Sequence, residues 1–390
     1  MEYWEKARAE TPGCKNVLHF NNAGAALMPE TVVNAVTDHI RLESEIGGYE
    51  AAEKKRKETE RLYHAAAVML NCNADEIAFI ENATRAWDMA FYSIPFRSGD
   101  RILTAASEYA SNFISYLQLA RKIGVVIDVI PSDKSGEVSV DALANMMDQR
   151  VKLIAITHVP TNGGLVNPAA AVGKIAREAN VLYLLDACQS AGQMPLDVKQ
   201  IGCSMLSATG RKFIRGPRAT GFLYIDHRIA EMLEPVFLDM HAATWKAMER
   251  YEIRHDARRF ENWEQNYAGK IGLATAIDYA MQWGIDRTYK RIQHLAGMLR
   301  ERLSKTSKTT VRDLGKEKCG IVTFSIDGTE PDKIKAELAS RNINVTVSRK
   351  SSTLIDMQSR GLENLVRASL HYYNTEEEVD RFCKTLSEIL

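Results

Sequence analysis

The sequence has no long apolar run and no excess of charge of one sign, and each absence excludes a class of protein. No run approaches the ~20 consecutive apolar residues that a membrane helix needs. Lys plus Arg and Asp plus Glu number 50 each, so no basic field would gather nucleic acid or anionic lipid. The segment Met1–Lys6 mixes charged and aromatic residues, which is not typical of a signal peptide. We therefore expect a cytoplasmic protein whose partner is a small molecule, with no nucleic acid and no membrane.

Paired cysteines are also absent. The six cysteines are scattered along the chain, and no two form a CxxC pair: Cys14, Cys72, Cys188, Cys203, Cys319 and Cys383. This spacing predicts reduced thiols, and neither a disulfide framework nor a metal site.

What the sequence does contain is a long alternation of strand and helix patterns. At 390 residues the chain exceeds one ordinary core, so two domains are expected. Apolar, β-branched runs separated by amphipathic helices predict an α/β fold with a mostly parallel sheet covered by helices on both faces. We assign residues 18–262 to this large domain. Residues 263–390, together with 1–17, are expected to form a smaller α+β domain.

Two stretches in the large domain carry the most chemical information. In Tyr183–Ser190 an apolar strand delivers Asp186 to its carboxyl end, and in Ser207–Arg218 small and hydroxylated residues precede Lys212. A lysine that forms an imine and an aspartate that pairs with a pyridinium nitrogen are what pyridoxal 5'-phosphate requires from a protein. We predict that Lys212 and Asp186 are these two catalytic residues.

Other polar residues also fall where strands are predicted to end. Tyr109, Thr161 and Asn162 follow predicted strands, as Asp186 and Lys212 do. Ligands of open parallel sheets bind beyond the carboxyl ends of the strands, so these residues are expected to surround one site. Thr84 begins a predicted helix, where it serves either as a helix cap or as part of an anion site.

With these motifs in this order, the chain resembles the fold-type I pyridoxal-phosphate enzymes of aminotransferase class V. Within them it is similar to the cysteine desulfurase and selenocysteine lyase branch, which includes isopenicillin N epimerase-like and C–S lyase-like members. The resemblance runs from Asn21–Gly24 to Arg367–Thr375.

The resemblance implies roles for individual residues and a homodimer with the active site at the subunit interface. The cofactor would be bound by Lys212, Asp186, Gln189, Tyr109, Ala83, Thr84, Thr209, Arg211 and Asn162. The substrate would be bound by Arg367, Asn22 and Ala23, with Arg367 holding the α-carboxylate. Two plainer interpretations stay open, namely Arg367 as a core salt-bridge partner and Tyr109 as ordinary packing.

Two departures from the family pattern affect the predicted reaction. Residues 348–357, where desulfurases carry a nucleophilic cysteine, contain none, and Cys319 and Cys383 lie in other segments. We therefore disfavour a cysteine desulfurase and favour a C–S β-lyase acting on a cysteine conjugate or sulfoxide. An aminotransferase, an amino-acid epimerase or racemase, and a catalytically silent cofactor-bound scaffold are the alternatives, although a scaffold would not need Lys212, Asp186 and Arg367 together.

The second departure is Glu264, which stands where many relatives place a threonine that reaches the neighbouring subunit's phosphate. A glutamate there would repel that phosphate.

Overall fold

The computed structural model describes residues 2–390 and has the predicted α/β architecture. Its strands, in chain order, are β1 (Leu18–His19), β2 (Ile77–Ile80), β3 (Arg101–Ala105), β4 (Val126–Ile130), β5 (Val151–Thr157), β6 (Leu182–Asp186), β7 (Met205–Thr209), β8 (Gly221–Ile225), β9 (Ala243–Ala247), β10 (Arg250–Ile253), β11 (Thr309–Val311), β12 (Ile321–Ile326), β13 (Ile343–Asn344), β14 (Thr346–Ser348) and β15 (Leu365–Ser369).

The helices lie between and after these strands. They are α1 (Tyr3–Ala9), α2 (Glu30–Ile46), α3 (Gly48–Lys54), α4 (Arg56–Leu70), α5 (Ala83–Tyr92), α6 (Ala110–Ile123), α7 (Val140–Met146), α8 (Ala169–Glu178), α9 (Val198–Ile201), α10 (His227–Ala230), α11 (Tyr267–Gln282), α12 (Ile285–Ser304), α13 (Pro331–Ser340), α14 (Leu354–Ser359) and α15 (Glu376–Ile389). Four short 3-10 helices cover Pro12–Lys15, Ala74–Glu76, Ala257–Phe260 and Lys350–Thr353.

A seven-stranded sheet forms the centre of the molecule, in the order β2-β8-β7-β6-β5-β3-β4. β8 runs antiparallel to both of its neighbours, β2 and β7, and the other strand pairs of this sheet are parallel. Strands β5 and β6 are almost wholly buried, as expected for apolar runs covered on both faces. Two separate apolar cores lie on the two faces of the sheet, and together they confirm the predicted fold class.

The parallel pairing places the ends of three neighbouring strands at one edge. Thr157 at the end of β5 is paired with Asp186 at the end of β6, and Asp186 with Ser207 in β7. Polar side chains that follow these strands therefore meet at this edge, although they are far apart in the sequence.

A second sheet, β11-β12-β15-β14, is antiparallel throughout and is covered by α12, α13 and α15. β1 pairs with β13, which joins the segment after α1 to this smaller unit. The division at 262/263 stays a prediction. Helix α11 begins just after that point, and its Leu273 and Ile277 pack in the core of the large sheet.

Two local features differ from the sequence pattern. The segment from Tyr49 to Leu70 reads as one continuous helical stretch, but α3 ends and α4 begins around Lys55. The hairpin of β9 and β10 was not anticipated, because its side chains are mostly exposed and supply no buried periodicity.

Candidate active site

A cavity of about 170 Å³ lies beyond the carboxyl ends of β5, β6 and β7. It is lined by Asn82, Ala83, Thr84, Tyr109, Asn112, Thr157, Val159, Thr161, Asp186, Cys188, Gln189, Thr209, Arg211 and Lys212. Lys212 and Asp186 thus face one cavity, as do most of the residues for which the sequence predicts cofactor binding.

Asp186 is the last residue of β6, and its carboxylate is buried. Oδ1 accepts a hydrogen bond from the backbone N–H of Cys188 at 2.8 Å, and Oδ2 accepts one from the Asn112 amide at 3.0 Å. Burial raises the pKa of Asp186 above its ordinary value, while these two bonds and the nearby charge of Lys212 favour the ionised form. The carboxylate is therefore held in a fixed orientation without a salt bridge.

Lys212 follows β7 in a loop closed by backbone hydrogen bonds, from Gly216 to the Gly210 carbonyl at 2.7 Å and from Arg215 to the Lys212 carbonyl at 2.9 Å. A methyl group on Gly210 would lie 2.3 Å from Thr220 Oγ1, so this tight turn requires glycine.

The amine of Lys212 is buried among other cations. Burial is the main reason that its pKa falls below the ordinary value, and the charges of Arg211 and Arg367 act in the same direction. The thiol of Cys188 lies beside the amine and partly offsets this. The lowered pKa favours the neutral amine, which is the form that accepts a proton or attacks a carbonyl.

The opposite part of the cavity suits an anion. The N-terminus of α5 presents Ala83 and Thr84, after Asn82 caps the helix by accepting a hydrogen bond from Arg85 N–H at 2.9 Å. Arg211 also lines the cavity and donates to the carbonyl oxygen of Gly24. Backbone amides at a helix N-terminus together with a guanidinium form a favourable phosphate environment.

Thr209 is the last residue of β7 and lines the cavity. Its hydroxyl donates to the carbonyl oxygen of Thr220 at 3.4 Å, a long and weak bond. Because this bond is weak, the hydroxyl could exchange it for a bond to a ligand oxygen.

Arg367 lies on β15 and is buried, but it is not a salt-bridge partner. Nη1 donates to the carbonyl oxygen of Thr161 at 3.1 Å and to its Oγ1 at 2.6 Å, whereas Nε is buried without a partner. No carboxylate of residues 2–390 forms an ion pair with it. Burial, assisted by Arg211, lowers the pKa of Arg367 to about 10. A buried and unpaired guanidinium is costly unless a ligand supplies the anion.

Two buried amides near the cavity keep an unpaired oxygen. Gln189 donates from Nε2 to the Ala23 carbonyl at 3.2 Å, and its Oε1 has no partner. Asn162 donates from Nδ2 to the Arg349 carbonyl and to Thr353 Oγ1, both at 2.9 Å, and its Oδ1 has no partner. Asn162 does not line the cavity itself, but it ties the segment 349–353 to the large domain beside it.

Asn22 and Ala23 do not line the cavity. The Asn22 amide donates to the Ser369 carbonyl at 2.8 Å and accepts from the Tyr373 hydroxyl. Ala23 donates its N–H to Ser369 Oγ at 2.8 Å and accepts from Gln189. Because these polar groups are bonded within the protein, the structure gives neither residue a free group, and their role in substrate binding stays a prediction.

Glu108 and Asn112 are site residues that the sequence analysis did not single out. Glu108 is buried directly before Tyr109, and its Oε1 accepts hydrogen bonds from Tyr109 N–H at 3.0 Å and from the Asn112 amide at 2.8 Å. The four-residue spacing of Glu108 and Asn112 at the start of α6 was the available signal, but such pairs are common on exposed helices. Tyr109 is 36% exposed, and its ring borders the cavity.

Glu264, in the connector after Glu261, is exposed and lies outside the cavity of its own chain. The connector is held by Asp239, which accepts a hydrogen bond from Trp263 N–H at 2.6 Å. Whether Glu264 meets the neighbouring subunit's cofactor stays a prediction.

One group of potential metal ligands, Glu76, Asp226 and His227, occurs in the described part of the chain, away from the cavity. Asp226 is paired with Arg228, and Glu76 accepts hydrogen bonds from His227. These bonds use the ligand atoms within the protein.

None of the helices in residues 2–390 has the length and apolar character required to span a bilayer.

Comparisons with known proteins extend over almost the entire chain. The family described as Aminotransferase class-V matches residues 18–382. A probable cysteine desulfurase of Methanothermobacter thermautotrophicus is 29% identical over 392 residues, covering 99% of this chain and 98% of the relative. The apo cysteine desulfurase of Thermococcus onnurineus NA1 superposes with a TM-score of 0.93 at 26% identity, covering 100% and 98% of the two chains. The cystine C–S lyase C-DES, in complex with cysteine persulfide, superposes with a TM-score of 0.87 at 22% identity over 97% and 99% of the chains, a likeness of fold.

Proposed function

The chain belongs to the aminotransferase class V family, and on that premise we propose that it breaks the C–S bond of a cysteine-derived amino acid by β-elimination. The predictions of this family, of an enzyme and of pyridoxal 5'-phosphate as its cofactor are confirmed. The reaction, the substrate class and the residue roles below are proposals.

The cavity fits the cofactor on its own chemistry. It combines a buried lysine, a buried strand-end carboxylate and a helix N-terminus, and Gln189 beside it has an unpaired oxygen. We assign Lys212 to the cofactor aldehyde and Asp186 to the ring nitrogen, with Tyr109 against the ring. Ala83, Thr84, Thr209 and Arg211 would hold the phosphate, with Gln189 and Asn162 completing the polar surroundings. When bound, the cofactor stabilises negative charge that develops at the substrate Cα.

Lys212 is the proposed proton carrier. Its buried amine, with a pKa lowered by burial and by Arg211 and Arg367, can accept the proton from Cα at Nζ. The same Nζ can then deliver that proton to the departing sulfur. This sequence requires a donor at the sulfur and no protein nucleophile.

Arg367 is the proposed clamp for the substrate α-carboxylate. Its guanidinium has no acidic partner in residues 2–390, and Thr161 holds it in place. A carboxylate bound there would satisfy the unpaired Nε and would fix which bond at Cα points toward Lys212.

The observation that carries the proposal is the chemistry of residues 348–357, which contain Ser, Thr, Lys and Arg and no cysteine. Asn162 holds this segment through Arg349 and Thr353. Cys188 lines the cavity, but burial raises the pKa of its thiol, so it is protonated and a poor sulfur acceptor. A route that does not form a persulfide on the protein therefore fits this chain best.

Cysteine desulfurase is the second candidate, because the relatives at 29% and 26% identity carry that name. The two reactions differ in their carbon product, since β-elimination gives pyruvate and ammonia whereas desulfuration gives alanine. We would incubate the holoenzyme with cystine, S-alkyl cysteines, a cysteine sulfoxide and L-cysteine, and measure all three products.

We expect pyruvate from at least one conjugate or from cystine, and Cys188→Ser should still release it, at a rate altered only through the effect of the thiol on the pKa of Lys212. If no member of the panel yields a keto acid, the proposed β-lyase activity is refuted. Alanine formation that disappears in Cys188→Ser would instead establish a desulfurase that uses Cys188.

We further propose a homodimer. In the β9–β10 hairpin, Trp245 is 79% exposed and Met248 is 90% exposed. Phe237, Met240 and Trp263, which lie close to the hairpin in the sequence, are exposed as well. Several large exposed apolar side chains in one part of the chain are consistent with a subunit interface. Light scattering is expected to give twice the chain mass, and a monomer with full activity would contradict the proposal.

A further inference from the structure

Glu108 is a buried carboxylate to which the proposed reaction assigns no role. Its Oε1 accepts from Thr157 Oγ1 at 2.5 Å in addition to Tyr109 N–H and the Asn112 amide. Its Oε2 accepts from Thr157 N–H at 3.0 Å and from Thr104 Oγ1 at 3.1 Å. Five hydrogen bonds fix the Glu108 side chain. Glu108 directly precedes Tyr109, which lines the cavity.

Asn112 joins Glu108 to Asp186. The same nitrogen, Nδ2, donates to Glu108 Oε1 at 2.8 Å and to Asp186 Oδ2 at 3.0 Å. An amide nitrogen has two hydrogens, so both are used, one for each carboxylate. The orientation of Asp186 is thus coupled to Glu108 through one locked amide.

The charges around Glu108 do not neutralise it. Burial raises the pKa of Glu108 to about 7, and Asp186 acts in the same direction by repulsion. The other titratable groups that face it are the phenols of Tyr116 and Tyr183, which are buried and neutral. Lys212 acts on Asp186, and no basic side chain is among the groups that shift the pKa of Glu108. A cationic group bound at Asp186 would therefore also be attracted by an ionised Glu108.

We propose that Glu108 is a positioning residue that holds Asp186 and Tyr109 in place and adds its charge to that of Asp186 at the ring-nitrogen end of the cofactor site. The inference rests on the proposed placement of the cofactor in this cavity. It does not depend on which reaction the enzyme catalyses.

The test compares Glu108→Gln with the wild type as holoenzymes and as apoproteins reconstituted with pyridoxal 5'-phosphate alone. The variant keeps the side-chain shape and removes the charge. We expect it to bind the cofactor roughly tenfold more weakly at pH 8.5, and with a smaller deficit at pH 6, where the wild-type carboxyl is protonated. The pH at which the bound-cofactor absorbance changes is expected to fall. Identical affinities and superimposable absorbance titrations at both pH values would overturn the proposal.

Glu261→Gln is the matched control, because Glu261 is an equally buried carboxylate with several hydrogen bonds outside the cavity. It should leave the absorbance titration unchanged. An equal shift in this variant would show that any buried charge has the effect and would refute a specific role for Glu108.

Thr157→Val keeps the carboxylate and removes its shortest hydrogen bond, which favours the ionised form. It therefore tests the proposal even if Glu108→Gln does not fold. Loss of this bond should raise the pKa of Glu108 above its wild-type value of about 7, so that near and just above pH 7 the variant carboxyl is more often protonated than the wild-type one. The deficit in cofactor affinity relative to the wild type should therefore be largest there. A deficit that does not vary with pH would count against the proposal. Because no amino acid is added, absent lyase activity would not affect the result, whereas a wild-type apoprotein that cannot be reconstituted would refute the placement of the cofactor itself.

Discussion

Glu108 and Glu261 are both buried carboxylates with several hydrogen bonds, yet their surroundings differ in charge. Glu261 accepts from Phe79 N–H at 2.7 Å, the Tyr63 hydroxyl at 2.9 Å and His241 at 3.1 Å, with Lys270 close by. Burial raises its pKa, but His241, Lys270 and the backbone bond outweigh burial, and the pKa of Glu261 ends below its ordinary value. Glu108 has no such cation, so burial prevails and its pKa rises to about 7.

Two buried arginines show the same contrast. Arg215 donates to the Leu27 carbonyl at 2.9 Å and to the Tyr372 hydroxyl at 3.0 Å, and it stacks on the Tyr373 ring. Arg367 bonds only to Thr161 and keeps an unpaired Nε. Arg215 is therefore bonded within the protein, whereas Arg367 keeps an unpaired donor that a ligand anion can use. A buried charge without a partner reduces stability, and groups of this kind cluster at functional sites.

The largest expected effect comes from removing the cavity lysine. Lys212→Ala should lower activity about 10³-fold or more, because it removes both the proposed cofactor linkage and the proposed proton carrier. The absorbance of bound cofactor near ~420 nm should disappear. The melting temperature of the apoprotein should not fall, because a buried amine with a lowered pKa is removed. Steady-state assays, spectra and thermal melts would measure these three outcomes, and a marked loss of stability would contradict the comparison.

The second prediction concerns the network outside the cavity. Glu261→Ala leaves Lys270 and His241 without their acid, and the expected loss is about 3–5 kcal/mol of unfolding free energy. Denaturant unfolding would measure it. The bound-cofactor spectrum of the surviving folded protein should match the wild type, and an altered spectrum would show that the two regions are coupled.

Arg367→Gln is expected to lower kcat/KM roughly 10²-fold, since it removes the proposed charge partner of the substrate carboxylate. The cofactor spectrum should persist, and the change should appear in kcat/KM across all amino acids that the enzyme accepts. Arg215→Gln is the control, because it should lower stability instead. If Arg367→Gln destabilises the protein as much as Arg215→Gln does, Arg367 is a structural residue.

The smallest effect is the pH dependence of the apoprotein. Glu108 has a folded-state pKa near 7, above the ordinary 4.5, so the folded state binds the extra proton between these values. Its contribution to stability therefore falls as pH rises from about 4.5 to 7, by roughly 1–3 kcal/mol. Glu261, with a lowered pKa, contributes stability that is present above pH 4.5 and is lost as pH falls further. Between pH 5 and pH 7 the unfolding free energy of Glu108→Gln should not show the decline expected of the wild type. If the unfolding free energies of the two proteins fall in parallel with pH, the prediction is contradicted.

Much of the fold and part of the site could be predicted from local patterns. Asp186 ends an apolar run and Lys212 follows small residues before a Gly-Pro turn, so both could be found from the sequence alone. Glu108 could not, because a glutamate between Ser107 and Tyr109 looks like a loop residue on the surface. Its burial arises only when β5 places Thr157 against it. The β9–β10 hairpin could not be predicted either, because its side chains are mostly exposed. Without a buried face it lacks the alternation of apolar and polar residues that predicts a strand.

The sequence by itself determined the order of the buried strands and helices, the lysine and aspartate pair, and the absence of a cysteine from residues 348–357, because each is a property of neighbours along the chain. The tertiary structure decided which charges lack a partner. Arg367 comes from the smaller sheet and Thr161 from the large one, and Glu108 meets Asp186 only through Asn112. Desolvation and charge compensation depend on everything that packs around a group, and chain neighbours are only a small part of those surroundings.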